Sequence, residues 1–549
     1  MKRVKFKGDK DYMTVLRYKD HKKNSEVVFD PSGIYFPGFD LEKTPELSNI
    51  DVSDCQKIFS CIYNLEDGEL FTTIIKRISK LKVQQTHIIQ NSKSMCFSGD
   101  SESVLYVEQN KHGRPWRVKQ HFLRVKTGKD PVIFEEPDER FYMEVFNTKC
   151  GQYSLLHSNS KSGNRIYLTR RGRPALCPVE GLESSKWVPE FCKISVEKDQ
   201  ILSFETNSSG MFVVQEHWVE KVGHCFRILF LTHAQLNKGI EKAKMNPVYT
   251  DGTLFEHLFQ FSELAYLNPE VNIQEMDIFD SMLILYCSIA GDNKIVRINL
   301  PSDLSMTKKI VEQVSFEEIR FADNQMGMIS PATNSELNPS HIQFEFDNTF
   351  NYSQVYKVDL NTNKSEMIVP FEHGGKAIRE KEFEIRQINY PSRDGTLIPL
   401  SLVLPKKLNL GKNLQNSKKN QSIGNYIVSN SNELDSFINS RRNCANLDKS
   451  TKDYVDMEDY DSDFNMQVGL GAPQKVLVQS YGVYGIQSEV GFKFSNWNYL
   501  ENDYILAYPH LRGGTDLGVD WHRSAMKKNK ISTVLDLLDC FHFLIGSLF

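Results

Sequence analysis

A long series of short strand-like segments between residues 92 and 369 limits the folds available to this sequence. The segments alternate or are rich in aromatic residues, and turns of Gly, Asn, Asp and Ser separate them, a pattern typical of β-sheets. About 280 residues without a long helix exceed one β-sandwich, whereas blades of about 40 to 45 residues would give six or seven in this length. The pattern therefore predicts a β-propeller. Two stacked sandwiches or one large irregular β domain remain alternatives, because no WD or kelch signature repeats.

The N-terminal residues 1–85 combine short strand-like runs with one predicted helix at residues 68–81. Leu70, Ile74, Ile75 and Ile78 have the spacing of one helical face, and basic residues follow toward the end that the helix dipole favours. We expect this segment to pack on a larger domain.

Strand and helix patterns begin to alternate after residue 377. Asp394-Gly395 between alternating apolar residues predicts a hairpin. Residues 476–478 and 504–508 are short apolar runs that each lead into a glycine-rich turn, as parallel strands do at an active-site edge. Residues 531–544 predict a helix with one apolar face, formed by Val534, Leu535, Leu538, Phe541 and Leu544.

Residues 406–474 are rich in Asn, Ser, Lys and Asp and include an acidic run at 453–464. The segment has too few apolar residues to bury and is too long for a tight connection, so we expect a flexible insertion. A calcium loop is the alternative for its carboxylates, but the glycine and terminal glutamate of an EF-hand are absent.

Charge and cysteine content bear on partners and compartment. The formal net charge is −4, from 66 Lys and Arg against 70 Asp and Glu, which indicates neither nucleic acid nor an anionic membrane as a partner. Ten cysteines occur without a CxxC pair or a Cys/His cluster, so we expect free, buried thiols in a reducing compartment. No apolar run is long enough to span a membrane, and we predict a cytoplasmic protein. No cofactor is expected, because neither a phosphate-binding glycine loop nor a metal-binding cluster occurs.

Several segments resemble the prolyl oligopeptidase family of serine hydrolases, and most closely its prolyl endopeptidase-like branch. They are DERFYMEVF and LLHSNSKSGNRIYL, the hairpin FEIRQINYPSRDGTLIPLSLV, and SYGVYG followed by HLRGGTDLGVDWH. The likeness is weak in the β region and specific in the last 75 residues, where RGG-x-[DE]-x-G-x-x-WH follows a strand. It implies a seven-bladed propeller at residues 86–376 over an α/β-hydrolase domain that begins at residue 377. Residues 1–85 would then pack on the hydrolase domain.

The resemblance also implies roles for five residues. Tyr481 would donate a hydrogen bond to the oxyanion of the tetrahedral intermediate, and such a donor is worth about 3 kcal/mol in the transition state. Gly482 would let the backbone pass close to the substrate. Arg512, Gly513 and Gly514 would form walls of the substrate site. The alternative for Tyr481 is an ordinary aromatic residue at the end of a strand.

The turn that contains RGG is interpreted as a scaffold. Arg512 and Asp516 are expected to join by a charge-assisted hydrogen bond, and Trp521 is expected to be a packing anchor. His510 and His522 are expected to be structural or surface residues, because the family places its catalytic base farther along the chain.

The nucleophile of such an enzyme lies in G-x-S-x-G and is followed by an acid and a histidine, and no serine of this sequence lies in that pattern. In the family the nucleophile strand comes directly after the helix that corresponds to residues 531–544. We therefore expect an incomplete copy of a serine hydrolase, inactive by itself and poorly soluble, because an interrupted parallel sheet leaves uncovered edges. The intact protein is expected to cleave short peptides, with esters and thioesters as further candidates. A non-catalytic propeller that binds a protein partner is the alternative.

Overall fold

The computed structural model describes the chain in segments. The described residues are 2–7, 10–18, 25–29, 46–64, 69–77, 84–123, 130–160, 163–171, 191–193, 201–220, 222–245, 259, 261–289, 291–301, 314–321, 326–350, 354–369, 382–407, 427–428 and 474–548. Two compact units divide the chain: the first consists of Met1–Gln200 with Asn237–Phe259, and the second of Ile201–Leu236 with Gln260–Phe549.

The first unit contains four antiparallel sheets in which consecutive strands pair. A three-stranded sheet comprises β1 (Lys2–Lys7), β2 (Lys10–Tyr18) and β3 (Ser25–Phe29). The first four-stranded sheet comprises β4 (Glu46–Val52), β5 (Ile58–Asn64), β6 (Phe71–Arg77) and β7 (Gln84–Gln90). The next comprises β8 (Ser92–Phe97), β9 (Ser103–Gln109), β10 (Pro115–Phe122) and β11 (Val132–Glu135). The last comprises β12 (Tyr142–Asn147), β13 (Tyr153–Ser160), β14 (Gly163–Arg170) and β15 (Cys192–Lys193).

The helix predicted at residues 68–81 is wrong, because Phe71–Arg77 forms strand β6 between β5 and β7. Ile74 and Ile75 are each only 1% exposed, so neighbouring residues are buried on opposite faces of the sheet. The β-branched run that begins at Thr72 favours this extended conformation. The boundary predicted after residue 85 falls within β7, in the sheet that begins with β4. Packing of residues 1–85 on a hydrolase domain stays a prediction.

The second unit begins with three further antiparallel sheets. The first comprises β16 (Ile201–Thr206), β17 (Gly210–Val219), β18 (Gly223–Thr232) and β19 (Ser262–Leu267), and β30 (Ile427–Val428) pairs with β19. The second comprises β20 (Val271–Ile278), β21 (Met282–Ile289), β22 (Asp292–Asn299) and β23 (Ser315–Glu318). The third comprises β24 (Met328–Pro331), β25 (His341–Asp347), β26 (Gln354–Asp359) and β27 (Ser365–Val369). Helix α1 (His233–Met245) follows β18, and its residues from Asn237 onward belong to the first unit.

The hydrophobic cores of the second unit join neighbouring sheets. Phe212, Phe226 and Leu264 of the first of these sheets pack with Leu283 and Val296 of the second. A separate cluster joins the second sheet to the third. The same four-stranded, consecutively paired sheet thus recurs along the chain, as expected for propeller blades.

A mixed sheet forms the C-terminal part of the second unit. Its strand order is β28 (Phe383–Pro391), β29 (Leu397–Pro405), β32 (Tyr504–Pro509) and β31 (Lys475–Val478). The predicted hairpin is confirmed, because β28 and β29 pair antiparallel around a turn in which Gly395 has a φ of +80°. The predicted parallel pair is also confirmed, because β31 runs parallel to β32. Among the described strands β31 lies at the edge of this sheet.

Helices cover both faces of the mixed sheet. They are α2 (Phe494–Glu501), α3 (Val519–Arg523) and α4 (Ile531–Leu548), with a 3-10 turn at Lys527–Asn529. Ile505 and Ala507 of β32 belong to the core with Leu544 of α4, whereas Leu506 belongs to the opposite core with Leu500 of α2. This burial of alternate residues on two faces explains why β32 is apolar throughout.

Helix α4 is confirmed, and of its predicted apolar face Leu544 is buried, Leu535 is half-buried and Val534, Leu538 and Phe541 are exposed. The buried positions include Asp536, Asp539 and Cys540, each at most 7% exposed. The apolar residues Ile531, Val534, Leu538, Phe541 and Ile545 are instead 39–61% exposed. Apolar spacing identifies a stripe but not what covers it, and the face of α4 that packs on the mixed sheet carries two aspartates that bind arginines.

The remaining predictions are tested only in part. Residues 408–426 and 429–473, which contain most of the predicted flexible insertion and the acidic run at 453–464, lie outside the described residues. Seven cysteines carry free thiols in the structure, of which Cys61, Cys96, Cys225, Cys287 and Cys540 are buried and Cys55 and Cys150 are not. Within the described residues no helix is long and apolar enough to cross a membrane.

Candidate active site

The first turn of the site, residues 479–486, follows the carboxyl end of β31. Tyr481 is 52% exposed there. Three of the next four residues have left-handed backbone: φ is +61° at Gly482, +56° at Tyr484 and +71° at Gly485. A left-handed tyrosine is uncommon and persists only where the surroundings impose it. Strained backbone of this kind is concentrated at functional sites.

Gly482 is required by packing on the protein side of the turn. A Cβ atom at this position would lie 2.8 Å from Thr533 Cγ2 and 2.9 Å from Leu511 Cβ. Real Cβ atoms do not approach other atoms this closely, so any larger residue would displace α4 or the turn after β32. The structure thus gives Gly482 a reason beyond the predicted approach to a substrate.

The second turn of the site, residues 510–518, is tied to α4 through Arg512. Its Nε and Nη2 atoms donate to Asp536 at 2.9 and 2.6 Å, and Nη1 donates to Asp394 at 2.5 Å. Hydrogen bonds to Asp536, and then to Asp394, raise the pKa of Arg512. The predicted pair of Arg512 with Asp516 is wrong, because the carboxylate of Asp516 faces His510 instead.

A buried hydrogen-bonded chain connects the second turn to the sheet. His510 Nδ1 donates to Asp516 Oδ1 at 2.7 Å, and Ser401 Oγ of β29 lies 2.8 Å from His510 Nε2. These three residues are 0–1% exposed, so Ser401 is inaccessible to a substrate despite its Ser-His-Asp contacts. Asp516 Oδ1 also accepts the backbone N–H of Ser488 at 2.9 Å, which links the chain to the segment after the first turn. His510 is therefore structural, as predicted.

The second turn also contacts the propeller-type sheets of the same unit. Thr515 Oγ1 accepts from Asn272 Nδ2 at 3.1 Å, and the carbonyl of Asp516 accepts from Gly291 N at 3.1 Å. At Gly518 an added Cβ would lie 1.7 Å from the carbonyl oxygen of Pro269. These contacts hold the turn from the side opposite α4.

Helix α3 extends the same attachment. Asp520 accepts from His224 Nδ1 at 2.8 Å and from the His224 backbone N–H at 3.0 Å, while Arg523 pairs with Glu216. Trp521 packs in the core of the mixed sheet and donates from Nε1 to the carbonyl of His510 at 3.1 Å, so it is the packing anchor that was predicted.

The two turns bind each other directly, through one backbone pair and one side-chain hydroxyl. Gly485 N donates to the carbonyl of Gly513 at 3.0 Å, and Thr515 Oγ1 donates to the carbonyl of Gly485 at 2.8 Å. His522 Nδ1 donates to the same Gly513 carbonyl at 2.7 Å, a structural role as predicted.

Sequence reasoning missed Lys530 and Thr533 at the start of α4. Lys530 Nζ donates to the carbonyl of Gly482 at 2.9 Å, and Thr533 Oγ1 donates to the carbonyl of Arg512 at 2.7 Å. The available signal was a lysine and a threonine placed three residues apart before the carboxylate Asp536, but spacing alone does not reveal which carbonyls they bind.

The arrangement defines a class of protein. Glycine-rich turns meet beyond the carboxyl ends of two parallel strands, in a sheet with helices on both faces, and a series of propeller-type sheets precedes them. This is a propeller protein that continues into an α/β-hydrolase fold.

The family follows from sequence comparison. The model for the prolyl oligopeptidase N-terminal beta-propeller domain matches residues 3–370, and the model for the prolyl oligopeptidase family matches residues 490–549. The chain belongs to the prolyl oligopeptidase family, a family of serine peptidases. The propeller match begins well before residue 86, where the sequence alone placed the start of the propeller.

Individual relatives agree with this assignment. Protease 2 of Moraxella lacunata is 19% identical over 507 residues, which are 92% of this chain and 55% of that protein. A prolyl endopeptidase-like protein of Xenopus laevis is 20% identical over 503 residues, 91% of this chain and 55% of the relative. The structure of oligopeptidase B from Leishmania major superposes with a TM-score of 0.69 at 15% identity, covering 99% of this chain and 63% of that one. Most of this chain is thus matched, but it spans just over half the length of these curated relatives.

Proposed function

We propose that the intact protein is a cytoplasmic serine peptidase that cleaves short peptides and uses Tyr481 as a donor to the oxyanion. The observation that carries this proposal is the exposed Tyr481 on a turn with left-handed residues, at the carboxyl end of a strand parallel to β32. Stabilisation of developing negative charge by a fixed donor is the chemistry that acyl transfer requires at such a position. Membership of a serine peptidase family supports the reaction class.

The proposal divides the site into a donor and its walls. Gly482, Gly513 and Gly514 contribute backbone to the walls, and Arg512 acts on them indirectly, because its guanidinium is occupied by Asp536 and Asp394. The hydrolase part is proposed to begin at residue 377, with residues 406–474 as a flexible insertion.

The nucleophile, acid and base are proposed to lie outside residues 1–549. No serine in this sequence occupies a G-x-S-x-G pattern, and the Ser401 hydroxyl, which does contact a histidine, is buried in the middle of a strand. We expect the coding sequence to continue past Phe549 and to contain G-x-S-x-G within about twenty codons. A stop codon at that point would favour the alternative, a propeller that binds a protein partner without catalysis.

Labelling with a fluorophosphonate probe tests the location of the nucleophile. The intact protein should be labelled on a serine beyond residue 549, and residues 1–549 alone should not be labelled. Labelling of residues 1–549 that one serine substitution abolishes would contradict the proposal. Parallel assays with peptide, ester and thioester substrates would then determine the substrate class.

Tyr481→Phe in the intact protein tests the oxyanion role. Loss of one oxyanion donor should lower kcat about 100- to 1,000-fold with little change in KM, because the bond forms mainly in the transition state. Tyr484→Phe is the matched control, since it removes a phenolic hydroxyl from the same turn and should leave kcat within about twofold. Equal effects of the two substitutions would contradict the assignment.

A further inference from the structure

Lys530 and Thr533 bind carbonyl groups of both turns at once. Lys530 Nζ donates to the carbonyl of Gly482 at 2.9 Å and to Thr533 Oγ1 at 3.1 Å. The single hydroxyl proton of Thr533 goes to the carbonyl of Arg512, at 2.7 Å, rather than to the more distant carbonyl of Gly482 at 3.4 Å. One continuous set of hydrogen bonds therefore joins the first turn, the start of α4 and the second turn.

Among the residues that the structure describes, the charge of Lys530 has no carboxylate partner, although the neighbouring segment contains Asp536 and Asp539, which pair with arginines. Partial burial lowers the pKa of Lys530. An ammonium group that is partly removed from water is retained where its donors meet defined acceptors, and here these acceptors are turn atoms.

The first turn depends on such bonds because its side chains provide little packing. Tyr481 and Ile486 are 52% and 53% exposed, so the position of the Tyr481 hydroxyl depends on the backbone that carries it. Gly482 follows Tyr481 directly, and its carbonyl is the atom that Lys530 binds. An error of about 1 Å in the position of a catalytic group can reduce the rate about 100-fold.

We propose that Lys530 and Thr533 are positioning residues that set the Tyr481 hydroxyl for the oxyanion by holding the first turn against the second. This inference rests on the proposed function of Tyr481. Neither residue needs to touch the substrate, and both act through the carbonyls of Gly482 and Arg512.

Kinetics of Lys530→Met in the intact protein test the proposal. The substitution keeps an unbranched apolar side chain and removes the donors, so kcat should fall about tenfold while KM stays within about twofold. Lys530→Arg keeps a charged donor and should restore part of kcat. Thr533→Val should behave like Lys530→Met, with Thr533→Ser as its conservative partner.

A double-mutant cycle separates positioning from a general structural role. In the Tyr481→Phe background, Lys530→Met should reduce kcat by less than about twofold, because the group that it positions is gone. A full tenfold reduction in that background would overturn the proposal. So would an unchanged kcat of Lys530→Met in an active protein, whereas an inactive wild-type protein would instead overturn the proposed function and this inference with it.

Hydrogen exchange gives a readout that does not depend on activity. The amides of residues 482–486 should exchange faster in Lys530→Met than in the wild type, because the turn loses the bond to its carbonyl. Lys528→Met is the control, since it removes an exposed lysine two residues earlier and should leave these amides unchanged. Equal exchange in both variants would overturn the proposal even if Lys530→Met lowered kcat.

Discussion

The two turns of the site differ in how the protein holds them. The first turn has exposed side chains and three left-handed residues, and the protein holds it mainly through the turn's own backbone carbonyls and amides. The second turn buries Leu511 and Asp516 and binds carboxylates and sheets on two sides. The second turn is therefore held on more sides than the first, which exposes the Tyr481 side chain to solvent.

The support of the second turn includes a buried ion pair between its Arg512 and Asp536 of α4. Asp536 is fully buried and accepts two hydrogen bonds from the Arg512 guanidinium, one from the Arg512 backbone N–H at 3.3 Å and one from Ser392 at 2.8 Å. A buried ion pair of this kind adds little net stability, but loss of one partner leaves an uncompensated charge. Loss of Asp536 should therefore destabilise the second turn more than loss of its exposed partners.

The largest expected effect is that of Asp536→Ala. The change leaves the guanidinium of Arg512 next to a buried cavity and should lower the free energy of unfolding by about 3–5 kcal/mol. Urea unfolding followed by fluorescence measures it. Asp394→Ala is the matched control, because Asp394 pairs with the same arginine but its side chain is 47% exposed, and we expect a loss of about 1 kcal/mol or less. Equal losses of unfolding free energy in the two variants would contradict the conclusion that burial makes Asp536 the more important partner of Arg512.

An intermediate effect is expected for Gly482→Ala in the first turn. The new Cβ would meet Thr533 and Leu511 at a left-handed backbone position, and we expect the free energy of unfolding to fall by about 2–4 kcal/mol. Gly395→Ala has a similar φ of +80° but no atom within 4 Å of its added Cβ, so it reports the backbone strain alone, about 1 kcal/mol. If the two variants lose the same stability, contact between the turns contributes nothing.

The smallest expected effect is the response of the second turn's surroundings to acid. Burial by itself raises the pKa of Asp539, but hydrogen bonds from the side chain and the backbone N–H of Arg393 outweigh it, and the pKa lies below its ordinary value. Burial also raises the pKa of Asp394, but hydrogen bonds from Arg512 and Thr396 outweigh it, so this pKa is lowered as well.

A lowered folded-state pKa means that these carboxylates stabilise the fold above the unfolded pKa of about 4 and lose that contribution as pH falls below it. Urea unfolding between pH 7 and pH 3 should show declining stability in the acid range. Arg393→Met should reduce the decline by removing the main partner of Asp539. An unchanged acid dependence in that variant would show that other groups determine it.

Local sequence patterns were sufficient for much of the mixed sheet. The Asp-Gly dipeptide specified the β28–β29 hairpin, and two short apolar runs before glycine-rich turns identified β31 and β32. These predictions succeeded because turn chemistry and strand alternation act between neighbouring residues. Propeller-type sheets were predicted for the same reason, since each blade is a meander of consecutive strands.

Predictions that needed distant partners failed. The β6 segment has apolar residues at a spacing that suits a helix, yet pairing with β5 and β7 makes it a strand. Arg512 lies four residues from Asp516 but binds Asp536, while Asp516 Oδ1 binds His510 and Asp516 Oδ2 has no hydrogen-bond partner among the described residues. Spacing along the chain could not show this choice of partner.

The sequence by itself determined the family, the repeated β-meanders and the two glycine-rich turns, because each depends on residues close together in the chain. Only the tertiary structure decided that the face of α4 turned toward the mixed sheet carries Asp536 and Asp539, since their charge partners lie more than 20 residues away. It also decided that Lys530 and Thr533 join the turns. Hydrogen bonds to carbonyls leave no mark in the sequence, because every residue carries the same carbonyl group.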